Sequence, residues 1–332
     1  MMYKAFIGID VSKDTIDTHV HGKNLHRKVR NSQKGFEELL VWINKYHDLD
    51  LYSEVIVCFE HTGMYSLPLA FYLEEMQIPF SMISALEIKR SLGIVRGKSD
   101  KVDARRIAEY AFLHRDTLQV TKMPPKTILT LHSTLTLRSR LVRHRAGYMA
   151  TKTEQKRFLE GLDLKSMQAI HRKMIRMLDT RIKEADAEIR QLIGQEETLK
   201  KTFKLVTSVK GVGLITGAYF IVYTHNFTRF TTWRKFACYC GIVPFEHQSG
   251  KMQKRSRVSQ LANKQMKRIL HMAAMAARRH DKELKAYYNR RLDDGKEKME
   301  VLNVIRNKLV ARAFAVVKRG TPYVELHQYE MA

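Results

Sequence analysis

The chain has 332 residues, 44% hydrophobic and 28% charged, which is enough apolar material for two or three domains and excludes a disordered polymer. Its 59 Lys and Arg against 34 Asp and Glu leave a formal charge of +25, so a polyanion such as a nucleic-acid backbone is the expected partner. Three cysteines (Cys58, Cys238, Cys240) are too few for a disulfide framework, and no apolar run is long enough to span a bilayer or patterned like a signal peptide, so a cytoplasmic protein with no membrane partner is expected.

Tyr3 to Asp10 is nearly all apolar up to its final acid, which predicts a strand buried on both faces and ending at Asp10. Thr15 to Val20 alternates and predicts the next strand of a meander. Asn31 and Ser32 are N-cap candidates, and Phe36, Leu39, Leu40 and Ile43 follow them at amphipathic-helix spacing. Glu54 to Glu60 predicts a second buried strand, again ending in an acid, and Gly63 breaks it. A helix over Tyr65 to Met76, a strand over Ile78 to Ile83, and helices over Glu87 to Ile94 and Asp103 to Leu113 complete an α/β domain, 1–122.

Pro124-Pro125 marks a boundary. Ile128, Leu131, Leu135 and Leu141/Val142 recur at helical spacing beyond it, as do Met174, Leu178, Ile182, Ala185, Ile189 and Leu192. Two long helices broken near Gly161 predict a helical hairpin or coiled coil over 123–202, serving either as a dimerisation arm or as an intrachain pair. In the remaining region, 203–332, Lys210 precedes Gly211-Val212-Gly213 between two short helical patterns. That is the shape of a helix-hairpin-helix whose glycine turn admits a phosphate, although a plain turn is the commoner explanation. An aromatic-rich stretch from Phe227 to Pro244 ends in a loop. Ser249-Gly250 then opens a run loaded with Lys251, Lys254, Arg255, Arg257, Lys264, Lys267 and Arg268. Helices are predicted from about Asn263 to His280 and over Met299, Leu302, Ile305, Leu309, Ala313 and Val316.

Moving a phosphodiester requires activating one oxygen and stabilising another, which carboxylates do by holding divalent metal. Asp10 and Glu60 at strand ends, with Asp100 and Asp103 three apart at a helix start, could build such a site for Mg²⁺ or Mn²⁺. Helix capping by Ser99 or Asp100, with Asp103 complementing the dipole, explains the pair locally. Arg96, Lys98 and Lys101 around them read as phosphate contacts. Ser249, beside glycine in a basic loop, is either a nucleophile for phosphoryl transfer or a plain loop serine. Cys238 and Cys240 with His225 and His247 raise a zinc reading, but Cys-x-Cys is not the usual ligand spacing and buried structural cysteines fit better.

Four segments together resemble the IS110-type transposases and the related Piv-type DNA invertases. GIDVSKDTIDTHV is similar to the family's first strand with its aspartate, here Asp10, and FEHTGMYSLPLA to its glutamate strand, here Glu60. RGKSDKVDARRIAEYA is similar to its paired-aspartate segment, here Asp100 and Asp103. TSVKGVGLITGAYFIV followed by RFTTWRKFACYCGIVPFEHQSGK resembles its C-terminal domain with its serine, here Ser249. The resemblance implies a RuvC-like (RNase H-type) N-terminal domain with a DEDD metal site, a coiled-coil dimerisation arm, and a mostly helical C-terminal transposase domain whose Ser249 forms a transient phosphoserine link to DNA. It also implies a bacterial, nucleoid-associated protein and homodimers assembling into tetramers, with the acids of one protomer beside the serine of another. A structured noncoding guide (bridge) RNA is implied to pair with donor and target DNA. Arg257 and Gln260 stand where the family leads one to expect Gly and Lys, which leaves Ser256 and Ser259 as alternative nucleophiles. Asn263 is expected to position a phosphate or backbone near the serine.

Overall fold

A computed structural model of the chain describes residues 3–46, 50–91, 99–159, 162–249 and 252–325. These form two compact units, Met1–Met123 and Pro124–Ala332.

The first unit is built on five strands: β1 (Ala5–Val11), β2 (Thr15–Val20), β3 (His26–Arg30), β4 (Val55–Glu60) and β5 (Phe80–Ile83). Their order is β3-β2-β1-β4-β5, with β1, β2 and β3 antiparallel and β1, β4 and β5 parallel. The sheet is buried on both faces, as the apolar runs predict. On one face Ile7, Ile9, Ile16, Val57 and Phe59 pack with Phe36, Leu39 and Ile43 of α1 (Gln33–Tyr46) and with Leu69 and Leu73 of α2 (Leu67–Glu75). Residues of the opposite register, Phe6, Ile56 and Cys58, pack with Ile88 of α3 (Ala85–Ser91) and with Ile107, Tyr110 and Ala111 of α4 (Asp100–Leu113). Each fully buried Ile or Phe contributes about 1.5–3 kcal/mol, so the two faces together anchor the strand ends firmly. The sequence did not predict β3, because only Val29 of its five residues is buried and no apolar alternation marks it.

The second unit opens with two long helices, α5 (Lys126–Phe158) and α6 (Lys165–Gln195). Arg138 pairs with Asp186 and Arg145 with Asp179. Seven residues forward on one helix match seven back on the other, so the pair runs antiparallel. Only the base of α5, at Ile128, Leu131 and Leu135, is buried. It shares a core with α7 (Glu197–Thr207), α8 (Leu214–Thr224) and α9 (Trp233–Tyr239). The sequence places a loop around Ser249, but the structure has a two-stranded hairpin of β6 (Pro244–Ser249) and β7 (Met252–Val258). Its residues are mostly polar and basic, so no apolar pattern announces it. Three helices complete the unit: α10 (Lys264–His280), α11 (Lys282–Asp293) and α12 (Lys298–Arg319). Of these α11 was not predicted, since it buries only Leu284 and Tyr288. Among the described residues no helix is long and apolar enough to cross a membrane.

Candidate active site

The acid cluster follows from strand register. Ile9 of β1 pairs with Phe59 of parallel β4, so the next residues are Asp10, one before the end of β1 at Val11, and Glu60, the last of β4. Their alternation places them in the same register as Phe6 and Cys58, on the face that α4 covers. A side chain at Gly8 would forbid that cover, because an added Cβ would lie 2.2 Å from the Ala104 carbonyl oxygen and 2.2 Å from the Ala108 nitrogen. Glycine on the strand and two alanines on the helix therefore let backbone meet backbone, and the helix mouth comes down beside Asp10. Ser99 caps α4, its Oγ accepting from the Val102 N–H at 3.3 Å, and Asp100 and Asp103 occupy the first turn. The capping reading is correct and compatible with a second role for the acids.

Asp10 is half-buried, and its pKa is pushed up to about 6 by burial first, then by the charges of Asp103, Asp100, Glu60 and Asp17. This shared field brings the four predicted acids into one cluster. Cations already answer part of it: Arg106 Nη1 lies 2.8 Å from Asp103 Oδ1, and Lys28 Nζ lies 3.7 Å from Asp100 Oδ2. Lys28 also lies 3.1 Å from Asp17 Oδ2, and His26 Nε2 lies 2.8 Å from Asp17 Oδ1. Asp17, Lys28 and His26 were not singled out in the sequence. The signal was present, since a hairpin turning near Lys13 sets Asp17 opposite Asp10. Among the described residues no three acid, His or Cys side chains converge at metal-ligating distance. The donors nonetheless suit a hard divalent cation: they are all carboxylates, and they repel one another without one. Of the basic residues expected here, Lys101 is exposed on α4, and Arg96 and Lys98 lie outside the described residues.

Ser249 is the last residue of β6 and pairs with Met252 of β7, so it stands at the hairpin tip, while Gly250 and Lys251 lie outside the described residues. Lys254, Arg255, Ser256 and Arg257 belong to β7, and Ser259 follows it, its Oγ accepting from the Leu261 N–H at 3.1 Å. The hairpin root is clamped from two sides. Asn303 and Asn307 donate their Nδ2 groups to the Ile242 carbonyl at 2.7 and 3.0 Å. Asn263 caps α10 by accepting from the Met266 N–H at 2.8 Å and donates to the Tyr239 hydroxyl at 2.8 Å. Its side chain thus fastens the root, and of the basic residues expected on α10, Lys264 and Arg268 are exposed and Lys267 is half-buried. Between α7 and α8 the glycines divide their work. Gly211, at φ +91°, abuts Ala273 and Ala277, where a Cβ would clash, whereas Gly213 is open and caps α8. Lys210 beside them lies 3.3 Å from Glu325. Cys240 is buried in the aromatic core, and among the described residues no zinc cluster forms with Cys238 and His225. The side chain of His247 lies outside the described residues.

Two family models match the chain: a DEDD-type IS110 model described as Transposase over residues 7–162, and one described as Transposase IS116/IS110/IS902 family over residues 203–289. The chain belongs to the IS110 family of transposases. It is accordingly an enzyme of DNA transposition and recombination. Two relatives run almost end to end with this IS110-family chain. They are the pilin gene-inverting proteins of Moraxella bovis and Moraxella lacunata, each 28% identical over 97% of this chain and 98% of their own. The insertion element IS110 uncharacterized 43.6 kDa protein of Streptomyces coelicolor is 29% identical over 36% of this chain and 29% of its own. The DEDD designation of the first family model points to divalent-metal dependence, in keeping with the carboxylate cluster.

Proposed function

We propose that this IS110-family protein exchanges DNA strands by a serine-dependent, metal-assisted transposition reaction guided by a structured noncoding RNA. The observation that carries the reading is the single electrostatic cluster of Asp10, Glu60, Asp100 and Asp103 at the ends of β1 and β4 and the mouth of α4. The strand order, an antiparallel meander beside parallel strands, supports a RuvC-like fold for this unit. These four carboxylates would hold Mg²⁺ or Mn²⁺, and the metal, when bound, would draw charge from the phosphate oxygens. The Ser249 hydroxyl attacks a DNA phosphorus and gives up its proton. As the Oγ–P bond forms, the P–O bond to the leaving strand breaks and that strand's oxygen is protonated. A hydroxyl from a second strand then attacks the phosphoserine, releasing Ser249 and joining the new strand. The charge of +25 supports binding of guide RNA and DNA backbones together. Exposed Phe158, Leu162 and Ile170 around the α5–α6 connection support self-association through this arm, in a dimer that assembles to a tetramer.

The test is incubation with DNA carrying the element's ends and the copurifying RNA. Wild type should form a covalent protein–DNA adduct, Ser249→Ala should form none, and Asp10→Ala should neither cut nor join. Cutting by Ser249→Ala would instead indicate a RuvC-like nuclease or resolvase that hydrolyses without the serine. A second reading, inversion of a DNA segment between two sites in one molecule, is favoured by the end-to-end match to the pilin gene-inverting proteins. Inversion of a two-site plasmid without added RNA would select it over guided transposition.

A further inference from the structure

Three buried residues carry a full charge among the described ones, namely Asp17, Asp281 and Arg306. Asp17 is answered by Lys28 and His26, and Asp281 by Arg312 at 2.7 Å, with Glu283 on the other arm of the same guanidinium. Arg306, six residues before Arg312 on α12, is 5% exposed and has no carboxylate partner among the described residues. Its Nη1 donates to Asn303 Oδ1 at 3.3 Å, its Nη2 lies 2.7 Å from His271 Nδ1, and its Nε meets no acceptor among those residues. Because a guanidinium can only donate, His271 Nδ1 accepts and the imidazole proton sits on Nε2. Lys267, one turn before His271 on α10, is half-buried and feels the same charge. Burial, then Arg306, lowers the pKa of both Lys267 and His271. A buried cation costs free energy unless an opposite charge meets it. Here two cations, Arg306 and Lys267, act on each other beside His271, Arg306 has no acid bound to it among the described residues, and Asn303, Lys267 and His271 leave a half-buried rim.

We propose that Arg306, Lys267 and His271 form a phosphate-binding recess that takes a backbone phosphate of DNA at the root of the Ser249 hairpin. The location follows from Asn303, which bonds both Arg306 and the Ile242 carbonyl where the chain enters β6. That the phosphate is DNA's rests on the strand-exchange reading, whereas the recess itself does not.

The experiment compares thermal midpoints of the full-length protein in inorganic phosphate and in chloride at equal ionic strength, then DNA binding across a salt series. Phosphate should raise the wild-type midpoint above chloride. Arg306→Met should keep or raise the chloride midpoint, since it removes an unanswered buried charge, and lose the phosphate increment. Lys267→Gln, at the rim, should leave the chloride midpoint unchanged and cut the phosphate increment. Duplex DNA binding by Arg306→Met should show a salt slope lower by about 1. An Arg306→Met protein that retains the full phosphate increment, or melts lower in chloride, overturns the recess. A vanished increment with an unchanged DNA slope overturns the DNA assignment alone. A wild-type protein that binds no DNA overturns the strand-exchange reading and leaves the phosphate comparison standing.

Discussion

Asp10 is ionised at neutral pH against burial and four neighbouring acids, which raise its pKa to about 6. An acid whose folded pKa exceeds its unfolded value destabilises the fold when charged. The penalty is absent below the unfolded pKa, grows as pH rises through the window between the two values, and is complete above about 6. The group is partly exposed, so solvent screening discounts the penalty to about 1 kcal/mol. Metal-free Asp10→Asn should therefore unfold at higher denaturant than wild type at pH 7, with the gap closing by pH 4. Mg²⁺ should stabilise wild type and leave the variant unmoved, and a variant less stable at pH 7 would refute this account. Gly8 tests the same site from behind. Gly8→Ala drives a methyl into the α4 backbone, which should cost about 1–3 kcal/mol and displace Asp100 and Asp103 from Asp10. Loss of Mg²⁺ binding with all four acids intact, read by calorimetry, is the expected outcome. In the sequence Asp10 and Glu60 were legible because each terminates an apolar run. Asp17 was missed, because its closeness to Asp10 shows only once the register of the β1–β2 hairpin is worked out across its turn.

At the level of elements, what the sequence revealed tracked how much each element buries. Strands β1 and β4 and helices α1, α10 and α12 bury continuous stripes, and their patterns predicted them. The polar β3, the basic β6–β7 hairpin and the sparsely buried α11 carry few apolar residues at a regular spacing, so periodicity missed them. The α5–α6 pair lies between these cases. Its base is buried in the core, but on α5 no residue beyond Leu135 is buried, and the outer part is held by ion pairs such as Arg138–Asp186 and Arg145–Asp179. Around the connection Phe158 is 69% exposed and Leu162 63%. If these residues meet a second copy, Phe158→Ser with Leu162→Ser should weaken self-association at least tenfold by analytical ultracentrifugation. Monomer stability should change by less than about 0.5 kcal/mol, as for other surface changes. An unchanged association constant would exclude this end of the arm as the interface.

Across the whole molecule the charge is divided unevenly. Up to Met123 there are 17 Lys and Arg against 16 Asp and Glu, whereas beyond it there are 42 against 18, so nearly all of the +25 belongs to the second unit. The near-neutral unit holds the acid cluster, and the basic unit holds Ser249 and the Lys- and Arg-rich α10. Phosphate neutralisation, with the counterion release that makes binding salt-dependent, should therefore be a property of the second unit. In EDTA, the pair Lys264→Gln with Arg268→Gln should lower the slope of log affinity against log salt by about 2, or about 1 for each phosphate that is no longer neutralised. Lys101→Gln should leave that slope unchanged, because without metal the acids beside it repel the backbone. With Mg²⁺ present the acids are neutralised and Lys101 can meet a phosphate, so the Lys101→Gln effect should emerge only then. A metal-free slope that falls as far for Lys101→Gln as for the α10 pair would mean that DNA reaches the acid cluster before metal does, and would reverse this order of binding.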